Sequence, residues 1–217
     1  MRESLNQDER EKKNMKLPER PPMWGRRSGL QTRASRRIPP VKKSLPLSRV
    51  YRLLEPGPVV MVTTARHGRA NIMALSWHMM MDFEPPIVGC VISDRNYSFR
   101  LLRATGECAI NIPTVELAVK TVRVGNTTGR KIDKFKASRL TPVPASCVAP
   151  PLIAECYANL ECRVVDARLA KRYNVFIMQV LKAWIDPSRK NPRTIHHRGR
   201  GVFMVAGRTI TLPSRMK

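Results

Sequence analysis

No stretch of this 217-residue chain approaches the roughly 18–20 consecutive apolar residues of a membrane span, so no transmembrane helix is expected. Nor does the N-terminal stretch carry an apolar segment behind its basic residues; Arg26-Arg27 is followed by Ser28-Gly-Leu-Gln-Thr-Arg33, and a cytoplasmic location is expected. The five cysteines contain no C-x-x-C pair, are odd in number and sit mostly inside apolar runs, which argues for reduced thiols and against a zinc site. No G-x-S-x-G, H-E-x-x-H or carboxylate cluster is present, which argues against hydrolases. No G-x-G-x-x-G follows a strand, so a stably housed dinucleotide of the Rossmann kind is not expected. Acids are scarce too: 16 Asp and Glu face 40 Lys and Arg, for a net charge of +24.

That surplus is spread along the chain, since residues 1–45 hold 13 basic and 5 acidic side chains and the remainder holds 27 and 11. A field of this sign attracts nucleic acid, anionic membranes and phosphorylated small molecules. With aromatics at only 6%, no block of stacking rings interleaves with the cations, which argues against specific nucleic-acid binding.

Residues 1–43 are rich in Arg, Lys, Pro and Ser and lack hydrophobic periodicity, so they read as a disordered basic leader ahead of a domain over 44–217. Pro58–Thr64 reads as a buried strand, and the turn Arg66-His67-Gly68-Arg69 leads into a second strand over residues 70–77. Strands are also expected at 87–93 and 107–112. A helix capped by Asn96 or Ser98 lies between them and ends at Gly106, and another, capped by Thr114, follows. Residues 140–151, proline-rich, read as a surface connection. Long strands at 152–165 and 173–185 follow, and 202–205 with 209–212 are expected to close the sheet. The class is mainly β with α insertions.

Chemistry concentrates between Asn71 and Ser98. Asn71, Ser76, Ser93, Asn96 and Ser98 sit at the ends of apolar runs, with Arg95 among them. Strand and helix ends of this kind offer free N–H groups, hydroxyls and positive charge to a phosphate monoester. Met73, Leu75, Trp77 and Tyr97 are suited to wall a flat ring, and His78 adjoins them. Flavin mononucleotide (FMN) satisfies both halves of that description; an ordinary strand–turn–helix unit with polar caps satisfies the residues as well. The loop Gly125–Lys131 lacks Walker A spacing, and reads either as a phosphate-holding loop or as a solvated turn. His196-His197 beside Arg198-Gly-Arg-Gly201 reads first as a polar surface turn, with a ligand-facing histidine as the alternative. No catalytic side chain is assigned, because a flavin cofactor would carry the redox chemistry itself.

From Val41 to Lys217 the chain resembles the flavin reductase-like family of FMN-binding split barrels, which includes flavoredoxins. The resemblance rests on Pro58–Thr64, Asn71–Trp77, Pro85-Pro86, Arg95–Ser98, Asn111-Ile-Pro113, Gly125-Asn with Gly129-Arg and Asp133-Lys-Phe135, and Ala154-Glu-Cys with Leu160-Glu-Cys162. It implies an FMN-binding split β-barrel and a homodimer with the flavin near the subunit interface. Asn71, Ile72, Met73, Ala74, Ser76 and Trp77 would border the ring or ribityl chain. Arg95, Asn96, Tyr97 and Ser98 would hold phosphate and ribityl groups, and Asn126 and Lys134 would contribute from the glycine loop. Thr128 and Lys131 depart from the residues usual there.

The activity implied is an oxidoreductase passing electrons from NAD(P)H, as a transient donor, through flavin to an acceptor that includes a partner protein among its options. A flavoredoxin-type electron carrier without efficient NAD(P)H oxidation is the alternative, and a basic nucleic-acid-binding barrel a further one. Relatives open on Met-Lys-Lys-Ser-Leu-Pro, and this chain has Val41-Lys-Lys-Ser-Leu-Pro46. Val41 is accordingly expected to be the translation start, which an intact mass counted from Met1 would overturn.

Overall fold

The computed structural model describes residues 42–215. The leader up to residue 41, and with it the expected start at Val41, lies outside the described residues. Within them the chain enters through β1 (Lys43–Ser44), which pairs with Trp184 and Ile185, and a short helix α1 (Tyr51–Leu54). Lys42 already belongs to the packed body: its side chain is buried and its ammonium donates to Asn159 Oδ1 at 2.6 Å. Packing therefore reaches two residues earlier than the expected boundary at 44.

The first hairpin joins β2 (Val60–Arg66) to β3 (Arg69–Leu75) through the two-residue turn His67-Gly68. Both turn residues have positive φ (48° and 75°), which matches the right-handed twist of the flanking strands. Then come β4 (His78–Phe83) and β5 (Pro86–Val91), with α2 (Tyr97–Thr105) after them. Gly106 ends α2 in the left-handed conformation expected of it (φ 68°). β6 (Glu107–Ile112) leads through a 3₁₀ turn to α3 (Ala118–Gly125) and α4 (Lys134–Ser138). The short pair β7 (Pro142–Val143) and β8 (Leu152–Ile153) precedes the long strands β9 (Ala158–Asp166) and β10 (Val175–Ile185), which flank α5 (Ala170–Tyr173). A hairpin of β11 (Ile195–His197) and β12 (Phe203–Val205) ends the ordered elements.

The main sheet runs β3-β2-β6-β9-β10-β5-β4, all antiparallel, with β1 added on β10. Its outermost strands, β3 and β4, are joined by Ser76 and Trp77 alone. Flat, seven strands would hold those edges about 29 Å apart. Three Cα steps span at most about 11 Å. The sheet must therefore curl until its edges meet, and it makes a barrel left split between β3 and β4, the fold class expected.

Curling gives the strands two buried faces. Inside lie Val60, Val62, Met73, Leu75, Val88, Ile110, Leu160, Phe176 and Met178 with the α2 residues Phe99 and Leu102. Outside, Met61 and Ile72 pack under Leu117, Val124 and Phe135 from the segment of α3 and α4.

A polar network fastens the outer layer. Asn111, fully buried, donates to Met61 O at 3.0 Å and Ala109 O at 3.1 Å, and its Oδ1 accepts from Ile153 N at 2.9 Å and Asn159 Nδ2 at 2.7 Å. The proline-rich segment is anchored more firmly than a surface connection requires. Leu140, Val143 and Val148 are buried, while Glu161 accepts from the N–H groups of Ser146 and Cys147, Glu155 from Thr141 and Glu107 from Ala149. The tail also differs from expectation: β12 pairs with β11 in a separate ribbon, and residues 209–212 form no strand. The ribbon's register with Thr114 and the β2 entry holds it off the main sheet, since Val59 N donates to Ile195 O and Thr114 bridges Thr194.

Replacing Asn111 by Ala strands the Ile153 N–H and one N–H of the Asn159 amide, whose other bonds to Ile153 O and Lys42 remain, each at about 1–3 kcal/mol. Asn111→Ala should lose at least about 2 kcal/mol of stability; an unchanged urea midpoint would show that the network carries no weight.

Candidate functional site

β3 is the spine of the site, and its alternation decides which residues face a ligand. Ile72 and Met73, both expected at the ring, turn into the outer and inner cores. Asn71 faces the start of α2: its Nδ2 donates to Ser98 Oγ at 2.7 Å, and both side chains are buried. Asn71 Oδ1 is buried with no hydrogen-bond partner, an exposed cost in a protein interior. Thr64, its cross-strand neighbour, likewise has a buried Oγ1 without a partner.

The glycine loop closes over this polar strip. A Cβ on Gly129 would stand 1.9 Å from Asn71 Oδ1 and 3.3 Å from the Tyr97 ring, so only glycine permits the approach. Beside it, the Arg130 guanidinium carbon lies 6.0 Å from the Tyr97 ring centroid. Asn96 occupies the N-cap of α2 without a side-chain bond to the helix, leaving that end open to an anion. Arg95 is exposed next to it. Asn71, Arg95, Asn96, Tyr97 and Ser98 are thus brought together as one polar, cationic pole.

At the other end of β3, Ala74, Leu75 and Ser76 line a cleft of about 580 Å³ with Thr121, Val122, Gly125 and Asn126 of the α3 segment. Its opposite wall is His197, Arg200, Gly201 and Phe203 from the β11–β12 hairpin. Ala74, Ser76 and Asn126 therefore border one cleft. Trp77 is 70% exposed and outside the cleft's lining. His78 is turned away as well, donating through Nε2 to Pro58 O at 2.7 Å, and burial lowers its pKa, so the ring is held neutral.

Lys134 acts as a clamp in this structure. Its buried ammonium donates to Ile72 O and Val124 O, both at 2.8 Å, and so ties β3 to the last turn of α3. Asp133 caps α4 by accepting from Lys136 N at 3.2 Å and thereby sets the lysine's position. The hairpin that reads first as a polar surface turn thus forms a wall of the cleft, and its paired histidines and glycine-spaced arginines are the signal for it in the sequence.

The arrangement fits a phosphorylated ring compound. The open helix end and two arginines suit a phosphate, the partnerless Asn71 oxygen suits a ribityl hydroxyl, and the small residues of the cleft leave room for a flat ring. Comparison with known proteins agrees in kind. The model of the flavin reductase-like domain matches residues 51–203. The uncharacterised Escherichia coli protein YddH is 33% identical over 181 residues, covering 76% of this chain and 95% of that one. Among solved structures, an FMN-binding domain of a flavin reductase-like enzyme from Shewanella baltica superposes with a TM-score of 0.75 at 26% identity, over 79% of this chain and 97% of that one. Flavoredoxin of Desulfovibrio vulgaris shares the fold, with a TM-score of 0.65 at 23% identity over 72% of this chain and 90% of its own. The fold is that of the split-barrel flavoproteins. The chain belongs to the flavin reductase-like family.

Burial holds the Lys134 pKa down to about 8, from an ordinary 10.5. Between those values the unfolded chain holds the proton more tightly than the folded one, so the cost of burying the charge fades as pH rises. Relative to Lys134→Met, the wild type should therefore gain stability from pH 8 to 10.5. Urea midpoints across that range measure it, and a constant difference would mean the ammonium is solvated.

Proposed function

We propose that this protein is an FMN-dependent oxidoreductase that accepts electrons from a reduced nicotinamide nucleotide and passes them to a second acceptor. The observation that carries the reading is the partnerless Asn71 Oδ1 under Gly129, with a cationic pole on one side and a roomy cleft on the other. FMN, when bound, supplies the hydride and electron chemistry. The chain's own residues have three tasks.

Arg95, Arg130, Ser98 and the start of α2 bind the phosphate. Asn71, with its oxygen free to accept, orients the ribityl chain. Ala74, Ser76, Gly125 and Asn126 receive the ring, and their small size leaves one face open to a substrate. Lys134 keeps the two walls in register through its carbonyl contacts.

A second copy completes the reading. β4 is an edge strand in which Met79, Met81 and Phe83 are 57%, 47% and 48% exposed, and Trp77 just ahead of it is 70% exposed. An unpaired edge this apolar is an association surface. It supports the homodimer that the family resemblance implies.

Purified protein should keep flavin absorbance after desalting and elute at twice the chain mass. Arg95→Ala with Ser98→Ala should weaken FMN binding by roughly ten- to a hundredfold, since charged hydrogen bonds contribute about 1.5–3 kcal/mol each. A colourless preparation that gains no flavin on reconstitution would sink the reading; unchanged affinity in a folded double variant would mean the phosphate lies elsewhere.

A further inference from the structure

We infer that Arg200, at the tip of the β11–β12 hairpin, is the specificity-determining cation of the cleft and reads a phosphate monoester on a second, ring-bearing nucleotide. The inference rests on the flavin reading above and adds to it the chemistry of the molecule that enters next.

The hairpin is fixed at its base and free at its tip. Val59 N donates to Ile195 O at 2.7 Å and Ala206 N to Thr194 O at 2.8 Å. His196 is committed to the frame, with Nδ1 donating to Gly57 O and Nε2 accepting from Thr194 Oγ1, both at 3.1 Å. Beyond that base, Gly199, Arg200 and Gly201 carry φ values of 96°, 47° and 77°. Two of those positions are free to glycine, whereas arginine in the left-handed region costs on the order of 1 kcal/mol. The chain thus bears strain at Arg200, the tip's charged residue that lines the cleft.

Arg200 cannot be accounted for by the cofactor's own phosphate. That pole is at Asn71, four residues and about 13 Å along β3 from Leu75 at the cleft. Next to Arg200 the rings of His197 and Phe203 lie 5.3 Å apart at 51°, an aromatic wall for a ring. Arg200 is the cation in the cleft's lining, and a guanidinium with its fork of donors matches the oxygens of a phosphate monoester. Two molecules offer that group: a 2′-phosphorylated nicotinamide dinucleotide, and a second, exchangeable FMN.

Calorimetric titration of the full, flavin-loaded chain separates them, using NADP⁺ against NAD⁺ and additional FMN against riboflavin. In at least one pair the phosphorylated member should bind about tenfold more tightly. Arg200→Ala should abolish that preference and Arg200→Lys should keep part of it, while the first equivalent of FMN stays bound in both. No preference in the wild type, or a preference that survives Arg200→Ala, overturns the inference. Loss of the first FMN in Arg200→Ala also overturns it, because Arg200 would then belong to the cofactor's own site. A wild-type chain that retains no flavin, yet prefers NADP⁺ through Arg200, upholds the hairpin's role and overturns the flavin reading instead.

Discussion

Everything in this molecule follows from the shortness of the link between β3 and β4. Two residues cannot bridge the edges of a flat seven-stranded sheet, so the sheet closes on itself and leaves a seam. His78 ties the start of β4 back to the entry of β2 by donating to Pro58 O. A seam is also the place where strand ends stay free of ladder partners. α3 and the terminal hairpin lean over it from either side, and the cleft is the space they leave. The site is a by-product of incomplete closure, roofed by elements that have no place in the barrel wall.

Having two buried faces makes unusual demands on the strands. Apolar residues can satisfy both, and β2 and β6 are buried almost throughout. Where loops must be held against the outer face, amides and carboxylates take over. Asn111 addresses four groups on four strands, and Lys134 ties a strand to a helix end through two carbonyls. These contacts are long-range, directional and dry, so each fixes the geometry of a neighbouring wall more sharply than apolar packing does.

Much of this was legible in the order of residues. The β2–β3 hairpin announces itself through β-branched runs around His67-Gly68, and Gly106 marks the end of α2. The polar ends at Asn71 and Ser98 converge as their chemistry suggests. The rest depends on partners far along the chain. Met79, Met80 and Met81 show no alternation of hydrophobicity, so β4 passes unnoticed until its pairing with β5 is seen. Ile72 and Met73 share a motif with Asn71, but motifs do not state which way a side chain points, and both turn into the core. The proline-rich segment looks like a surface connection because the glutamates that anchor it lie elsewhere in the chain, Glu107 on β6, Glu161 on β9 and Glu155 in the turn before β9. Thr209-Ile-Thr-Leu212 alternates like a strand, yet alternation cannot supply a neighbouring strand to pair with.

Glu107 and Glu161 turn from solvent, and half-buried Glu155 joins them, to bind backbone N–H groups of one loop. In a chain that owns 16 acids against 40 bases, two are thus withdrawn from the exterior and a third partly so. The outward field is therefore more uniformly cationic than the residue count suggests. Any two copies would approach against mutual repulsion, which counter-ions screen. Added salt would then have opposite effects on two kinds of contact: it would ease an approach through the apolar face of β4 and weaken the hold on anything anionic.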